Sequence, residues 1–301
     1  MHVVVVGAGA LGSAIALGLA ESGGNVTLIA RGARLAWLRD HPLELEHAGG
    51  VRAKAVPVCD WAGLTAPVDA VIFCTKMAGL VEAAGHVAPL LAPGARAVAL
   101  QNGVEAPDLL AAALPGAAVI AGRVHGFFEM DGQRVRHVGV APSVALGGAN
   151  PAGRREAPAA ARLLEQAGFG CTVSADIRRE LWEKLMLSAG AAGVAMMLGT
   201  PVGQVCATDG GEALLCAALE EVTTVAQACG AMLGRNDIEQ TIGFVRRFPP
   251  EATTSLQRDV AAGAPSEYDA LIGAVLRLAA SHGVAVLTFQ RIDAAVRPAD
   301  Q

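Results

Sequence analysis

The stretch HVVVVGAGALGSAIALGLAESG, His2 to Gly23, constrains the fold of this chain more than any other. Val3 to Val6 form an unbroken β-branched run, which suits a strand buried on both faces. Gly7-Ala8-Gly9-Ala10-Leu11-Gly12 then fits G-x-G-x-x-G and opens an apolar helix. In that motif the first glycine permits the turn and the second lets a pyrophosphate approach the backbone. The third lets the helix pack closely on the strand, with the helix N-terminus facing the phosphates. A glycine-rich turn can also be purely structural, but its place after the first strand of the chain favours dinucleotide binding.

More strand–helix units follow. The second strand, NVTLIA, ends at Arg31, where an NAD-preferring site usually carries an acidic residue for the ribose hydroxyls. A basic residue there, with Arg34 one turn on, instead suits the 2′-phosphate of NADP, since arginine pairs with phosphate and a cation is disfavoured at a helix start. DAVIFCTK and ARAVALQNG read as further strands, each followed by a helix, the first helix stopped by Pro93-Gly94. Lys76 and Asn102 stand just past those strand ends, the edge where such sheets bind ligands. AAVIAGRVHGFFEM, QRVRHVG and SVALGG read as an antiparallel extension, with His125 and His137 structural. A capped helix over NPAGRREAPAAARLLEQAGF and a last strand, CTVSA, complete this half.

The expected fold is therefore an α/β Rossmann-like dinucleotide-binding domain over residues 1–175, followed by an all-α domain over 176–301. From Asp176 the apolar period switches to 3.6, giving candidate helices Asp176–Met197, Glu212–Cys229, Asp237–Arg246, Thr254–Ala262, Glu267–His282 and Thr288–Val296. Ser266 is the expected N-cap of the fifth, with Asp269 completing a capping box and Glu267 in the first turn.

The first of these helices aims a lysine along its apolar stripe. At 100° per residue, Ile177, Leu181, Lys184 and Ser188 share one face, while Arg179 and Glu183 point away. A sheet followed by helices suggests a dehydrogenase layout with substrate in the cleft between domains. Hydride transfer to a ketone needs a proton donor for the developing alkoxide, and a partly desolvated lysine suits that task near neutral pH. The bland alternative is a lysine whose stem snorkels from the stripe to water.

The rest of the composition narrows the partners. Net charge is −5, with no long basic cluster, which argues against nucleic acid. The six cysteines show no C-x-x-C spacing and read as reduced thiols in a cytoplasmic protein. No His/Cys cluster has metal-ligand spacing, so no metal is expected. The apolar start and the run Leu187–Val205 are both interrupted by glycines, so no membrane span is expected.

Taken in order, GAGALG, Arg31, CTK at Lys76, LQNG at Asn102, RRELWEKL around Lys184 and TTSLQRDV…SEYDALIG resemble the ketopantoate reductase (2-dehydropantoate 2-reductase) family from Met1 to about Val296. The resemblance implies NADPH-dependent reduction of the ketone of ketopantoate to pantoate, a step toward pantothenate and coenzyme A. It implies that residues Gly7 to Gly12 cradle the pyrophosphate, Arg31 binds the 2′-phosphate, Lys76 contacts the cofactor and Asn102 sits at nicotinamide and substrate. Lys184 becomes the general acid, Ser255 a holder of the substrate carboxylate, and Glu267 part of the lysine's environment. The expected partners are a small 2-oxoacid and, for assembly, a second copy of the chain as a homodimer. Where the family commonly carries asparagines one and two turns after the lysine, this chain has Ser188 and Ala192. Ser188 retains a hydrogen-bonding group for substrate and Ala192 does not, so discrimination for a hydroxylated substrate is where the chain departs from the pattern. A different 2-oxoacid, or a catalytically silent NADPH-binding sensor, are the alternative readings.

Overall fold

The computed structural model describes residues 1–64, 67–264 and 266–297. The last four positions of the expected helical domain, 298–301, lie outside the described residues. The chain forms two compact units, one of Met1–Gln101 with Ala106–Ile177, the other of Asn102–Glu105 with the chain from Arg178 onward.

The first unit is a sheet covered by helices. Its strands are β1 (His2–Val6), β2 (Asn25–Ile29), β3 (Leu43–His47), β4 (Gly50–Lys54), β5 (Val58–Cys59), β6 (Val68–Phe73), β7 (Leu91–Ala99), β8 (Ala118–Asp131), β9 (Arg134–Gly148) and β10 (Gly170–Val173). Its helices are α1 (Ala10–Glu21), α2 (Gly32–Asp40), α3 (Leu80–Val87), α4 (Ala106–Ala113) and α5 (Pro151–Gln166). The strand order is β4-β3-β9-β8-β7-β6-β1-β2-β5, with β10 paired to β9. From β8 to β5 every pairing is parallel.

The valine run explains the layering. Val3 and Val5 pack with α1 and α5, whereas Val4 and Val6 pack with α3 and α4. Alternate side chains of one strand thus fill two cores, one on each face of the sheet.

Three details differ from the sequence expectation. The strands β3, β4 and β5 lie between the expected strands NVTLIA and DAVIFCTK, in addition to them. The two pieces QRVRHVG and SVALGG belong to one strand, β9, with β3 and β10 paired to it in parallel and only β8 antiparallel. Pro93 lies inside β7 rather than at the end of α3, which stops at Val87.

The second unit contains α6 (Ile177–Leu185), a π-helical turn over Met186–Ala191, and α7 (Ala192–Leu198), joined as one continuous helix. It continues with α8 (Gly211–Ala228), α9 (Arg235–Val245), α10 (Ser255–Ala261), a second π-helical turn over Asp269–Gly273, α11 (Ala274–His282) and α12 (Leu287–Val296). The small residues of α6–α7 allow close contact. A Cβ on Gly190 would stand 2.9 Å from Leu219 Cδ2 of α8, and one on Gly193 2.9 Å from Ile292 Cγ2 of α12. Ile177–Leu198 is long and apolar enough to cross a membrane by length and composition, and 61% of that window is buried inside the protein. All six cysteines are free thiols.

Candidate active site

The glycine turn is built by contacts that leave little choice of residue. Gly7 has φ +107°, and a Cβ there would meet the backbone of Cys74 and Thr75 at 3.0 Å. A Cβ on Gly12 would stand 1.9 Å from the Gly7 carbonyl oxygen, so the third glycine is what lets α1 lie against the turn. Gly9 is different. It is the N-cap of α1, has no side-chain cap, and a Cβ added to it would meet nothing within 4 Å. Open space over Gly9, a helix start without a side-chain cap, and no acidic residue in the first turn fit a bound pyrophosphate.

The turn is braced from below. Ala8 O accepts hydrogen bonds from Ser13 Oγ (3.2 Å) and Arg34 Nε (3.3 Å), and Arg34 also donates to Ser13 Oγ and to Gln133. Its guanidinium lies over Trp37, and burial lowers its pKa. Arg34 is therefore engaged with the loop, and of the two basic residues considered for a 2′-phosphate it is Arg31 that remains exposed, as the N-cap of α2. Lys76 is exposed three residues past β6.

Two polar groups at this edge were not singled out in the sequence. Gln101, 6% exposed, donates through Nε2 to Phe73 O (3.0 Å) and Thr75 O (3.1 Å), tying the end of β6 to the end of β7. Its Oε1 and the hydroxyl of Thr75 are buried without a hydrogen-bond partner among the described residues. A glutamine directly before Asn-Gly carries no local signal of that role.

Within the second unit, α6 presents its lysine by burying what flanks it. Trp182, Leu185 and Met186 are fully buried, while Lys184 is half-buried. Arg179, on the other side, pairs with Glu183 at 3.0 Å and with the buried Asp237 at 2.5 Å, which fixes the rotation of the helix. Lys184 Nζ donates to Asn102 Oδ1 at 2.8 Å, and Asn102 Nδ2 donates to Glu267 Oε2 at 2.7 Å. The amide orientation follows from charge: its oxygen meets the ammonium and its nitrogen the carboxylate.

The structure thus joins Asn102, Lys184 and Glu267 in one chain of bonds. Ser255 stands at the exposed first position of α10, without a hydrogen bond to any of the three among the described residues. Ser188 is half-buried like Lys184, whereas Ala191 and Ala192 have no exposure, so these alanines pack the unit's interior. A π turn over Met186–Ala191 separates Lys184 from Ala192. Ser266 Oγ accepts from Tyr268 N at 3.3 Å, while Asp269 turns its carboxylate to Arg277. Tyr268 is instead anchored by donating to Asp293 Oδ1 at 2.5 Å, which holds the residue beside Glu267 in place.

A doubly wound sheet with a glycine turn after its first strand, together with a helical unit presenting a lysine held by an amide and a carboxylate, defines an oxidoreductase of the dinucleotide-binding class. Within that class the chain belongs to the ketopantoate reductase PanE/ApbA family, whose N-terminal part matches residues 3–151 and whose C-terminal part matches residues 176–300. A relative from Halobacterium salinarum, named 2-dehydropantoate 2-reductase, is 29% identical over 310 aligned residues, covering 100% of this chain and 99% of its own. The crystal structure of a PanE/ApbA family ketopantoate reductase from Ralstonia eutropha JMP134 superposes with a TM-score of 0.87 at 30% identity, over 99% of this chain and 97% of that one. The fold is shared with a D-mandelate dehydrogenase solved with NADH and anilino(oxo)acetate, at TM-score 0.86 and 22% identity over 98% and 97% of the two chains.

Proposed function

We propose that this protein is an NADPH-dependent 2-oxoacid reductase of the cytoplasm, and that its substrate is 2-dehydropantoate, reduced to pantoate on the way to pantothenate and coenzyme A. The observation that carries the reading is the bonded series Lys184–Asn102–Glu267. Family membership and the name of the Halobacterium relative support the substrate.

The cofactor, when bound, supplies a hydride to the carbonyl carbon of the substrate. Every other task falls to residues of this chain. Gly7, Gly9 and Gly12 let the pyrophosphate approach the turn, where the N–H groups from Ala8 to Leu11 receive it. Arg31 pairs with the 2′-phosphate and Lys76 adds positive charge at the same sheet edge. Lys184 gives a proton to the carbonyl oxygen as negative charge grows there, leaving the alcohol and a neutral amine that is reprotonated from water. Asn102 fixes the direction of Nζ, and Glu267 fixes Asn102. Ser255 holds the substrate carboxylate, and Ser188 offers a hydrogen bond to the substrate's remaining polar group.

A second reading, reduction of a different 2-oxoacid, is favoured by the serine at 188 and the wholly buried alanine at 192, where the family resemblance leads one to expect asparagines. A D-mandelate dehydrogenase with the same fold supports a wider range of 2-oxoacids for this architecture. NADPH oxidation followed with 2-dehydropantoate and a panel of 2-oxoacids separates the two. The highest kcat/KM with 2-dehydropantoate supports the first reading, and a higher value with another acid supports the second.

A further inference from the structure

Asn102 sits on a short arm, residues 102–105, which is bent backbone between β7 and α4 and belongs to the helical unit. Beyond Asn102 itself, two features dock this arm against the segment that carries Glu267. Gly103, at φ +97°, lies so close to that segment that a Cβ would stand 2.6 Å from Ala270 O. Glu105, three residues after Asn102, is held by Arg277 of α11, with Nη2 donating to Oε2 at 2.7 Å and Nε to Oε1 at 3.4 Å. The same guanidinium donates to Asp269 through Nη1 to Oδ1 at 2.5 Å and through Nη2 to the carbonyl at 3.0 Å. Asp269 is two residues after Glu267. One planar group therefore spans the arm of Asn102 and the turn of Glu267.

Arg277 is 46% exposed, Asp269 71% and Glu105 20%, and a pair as open to water as Arg277–Asp269 contributes little to stability. What a rigid five-donor fork does well is fix geometry. We infer that Arg277 is a positioning residue for the reduction. By gripping Glu105 and Asp269 together it sets the Asn102 amide between Lys184 and Glu267, and so sets where Nζ points. The inference rests on the reading of Lys184 as proton donor.

The test is kinetic, with Arg277→Ala, Arg277→Lys and Asn102→Ala made singly and Arg277→Ala also combined with Asn102→Ala. Loss of the fork is expected to lower kcat about 10- to 100-fold, the scale of a misplacement near 1 Å, with KM for NADPH unchanged. Arg277→Lys should restore part of kcat, because an ammonium reaches one carboxylate but cannot span both. In the Asn102→Ala background Arg277→Ala should cost no further activity, since Arg277 acts through that amide. Wild-type kcat in Arg277→Ala, or an undiminished loss in the double variant, overturns the inference. If the unsubstituted protein turns over no 2-oxoacid, the functional reading has failed instead. Amide hydrogen exchange at residues 102–105 then decides the clamp: faster exchange in Arg277→Ala upholds it, and unchanged exchange rejects it.

Discussion

Lys184 and Asn102, 82 positions apart, meet through a 2.8 Å hydrogen bond from ammonium to amide oxygen, and the amide in turn is held by Glu267. A lysine on an apolar stripe would ordinarily extend its ammonium to water. Here it is half-buried and oriented, which is the condition for giving a proton at a defined point.

Lys184→Ala is predicted to lower kcat by about 10²–10⁴, the range of a lost general acid, while NADPH binding persists. Steady-state turnover with the best 2-oxoacid checks this, together with a fluorescence titration of NADPH. An unchanged kcat removes Lys184 from the reaction.

Arg31 is exposed at the N-cap of α2, whereas Arg34 is committed to the Ala8 carbonyl and Ser13. Arg31→Ala should therefore raise KM for NADPH about tenfold or more, the worth of a charge-assisted phosphate contact, and spare KM for NADH. Equal effects on the two cofactors would contradict a role at the 2′-phosphate.

The glycines of the turn should separate stability from binding. A Cβ on Gly12 collides with the Gly7 carbonyl, so Gly12→Ala is expected to destabilise by about 1–3 kcal/mol, as overpacking does. Gly9 has open space around it, so Gly9→Ala should keep Tm and weaken NADPH binding. Thermal unfolding and a cofactor titration on both variants read the two effects, and equal losses of Tm would go against this assignment.

Asp293 gives a pH signature. Hydrogen bonds from Arg297, and then from Tyr268, hold its carboxyl below the usual carboxylate range against the opposing effect of burial. A depressed carboxylate contributes stability that is full above its unfolded pKa, near 4. That contribution is lost as pH falls through the lower folded value. The Tm difference between wild type and Asp293→Asn should be steady at neutral pH and shrink below about pH 4. A difference that grows on acidification would reverse the sign.

Much of this was legible in the sequence because local chemistry dictated it. Val3 to Gly12 could only be a buried strand turning into a tightly packed helix, and the 3.6 period after Asp176 could only be helix. What escaped depended on partners far along the chain. β4 is exposed along most of its length and β5 has two residues, so neither carries an apolar pattern of its own. β9 read as two strands because Gly139 and Pro142 interrupt it, and its ladder with β8 skips from the Phe127–Val138 pair to the His125–Ser143 pair. The π turn after Lys184 cannot be seen in a helical pattern, and neither can the complete burial of Ala192. Lys184 and Glu267 were recognisable, but Arg277 joins Glu105 to Asp269 only in three dimensions.

Hydride transfer from NADPH to 2-dehydropantoate, with Lys184 as proton donor, is the proposal on which the other predictions rest. NADPH oxidation by the purified protein, compared between 2-dehydropantoate and other 2-oxoacids, tests it most directly. Turnover is expected, with the highest kcat/KM for 2-dehydropantoate. Tight NADPH binding with no turnover of any 2-oxoacid would contradict it and leave a nucleotide-binding sensor in its place.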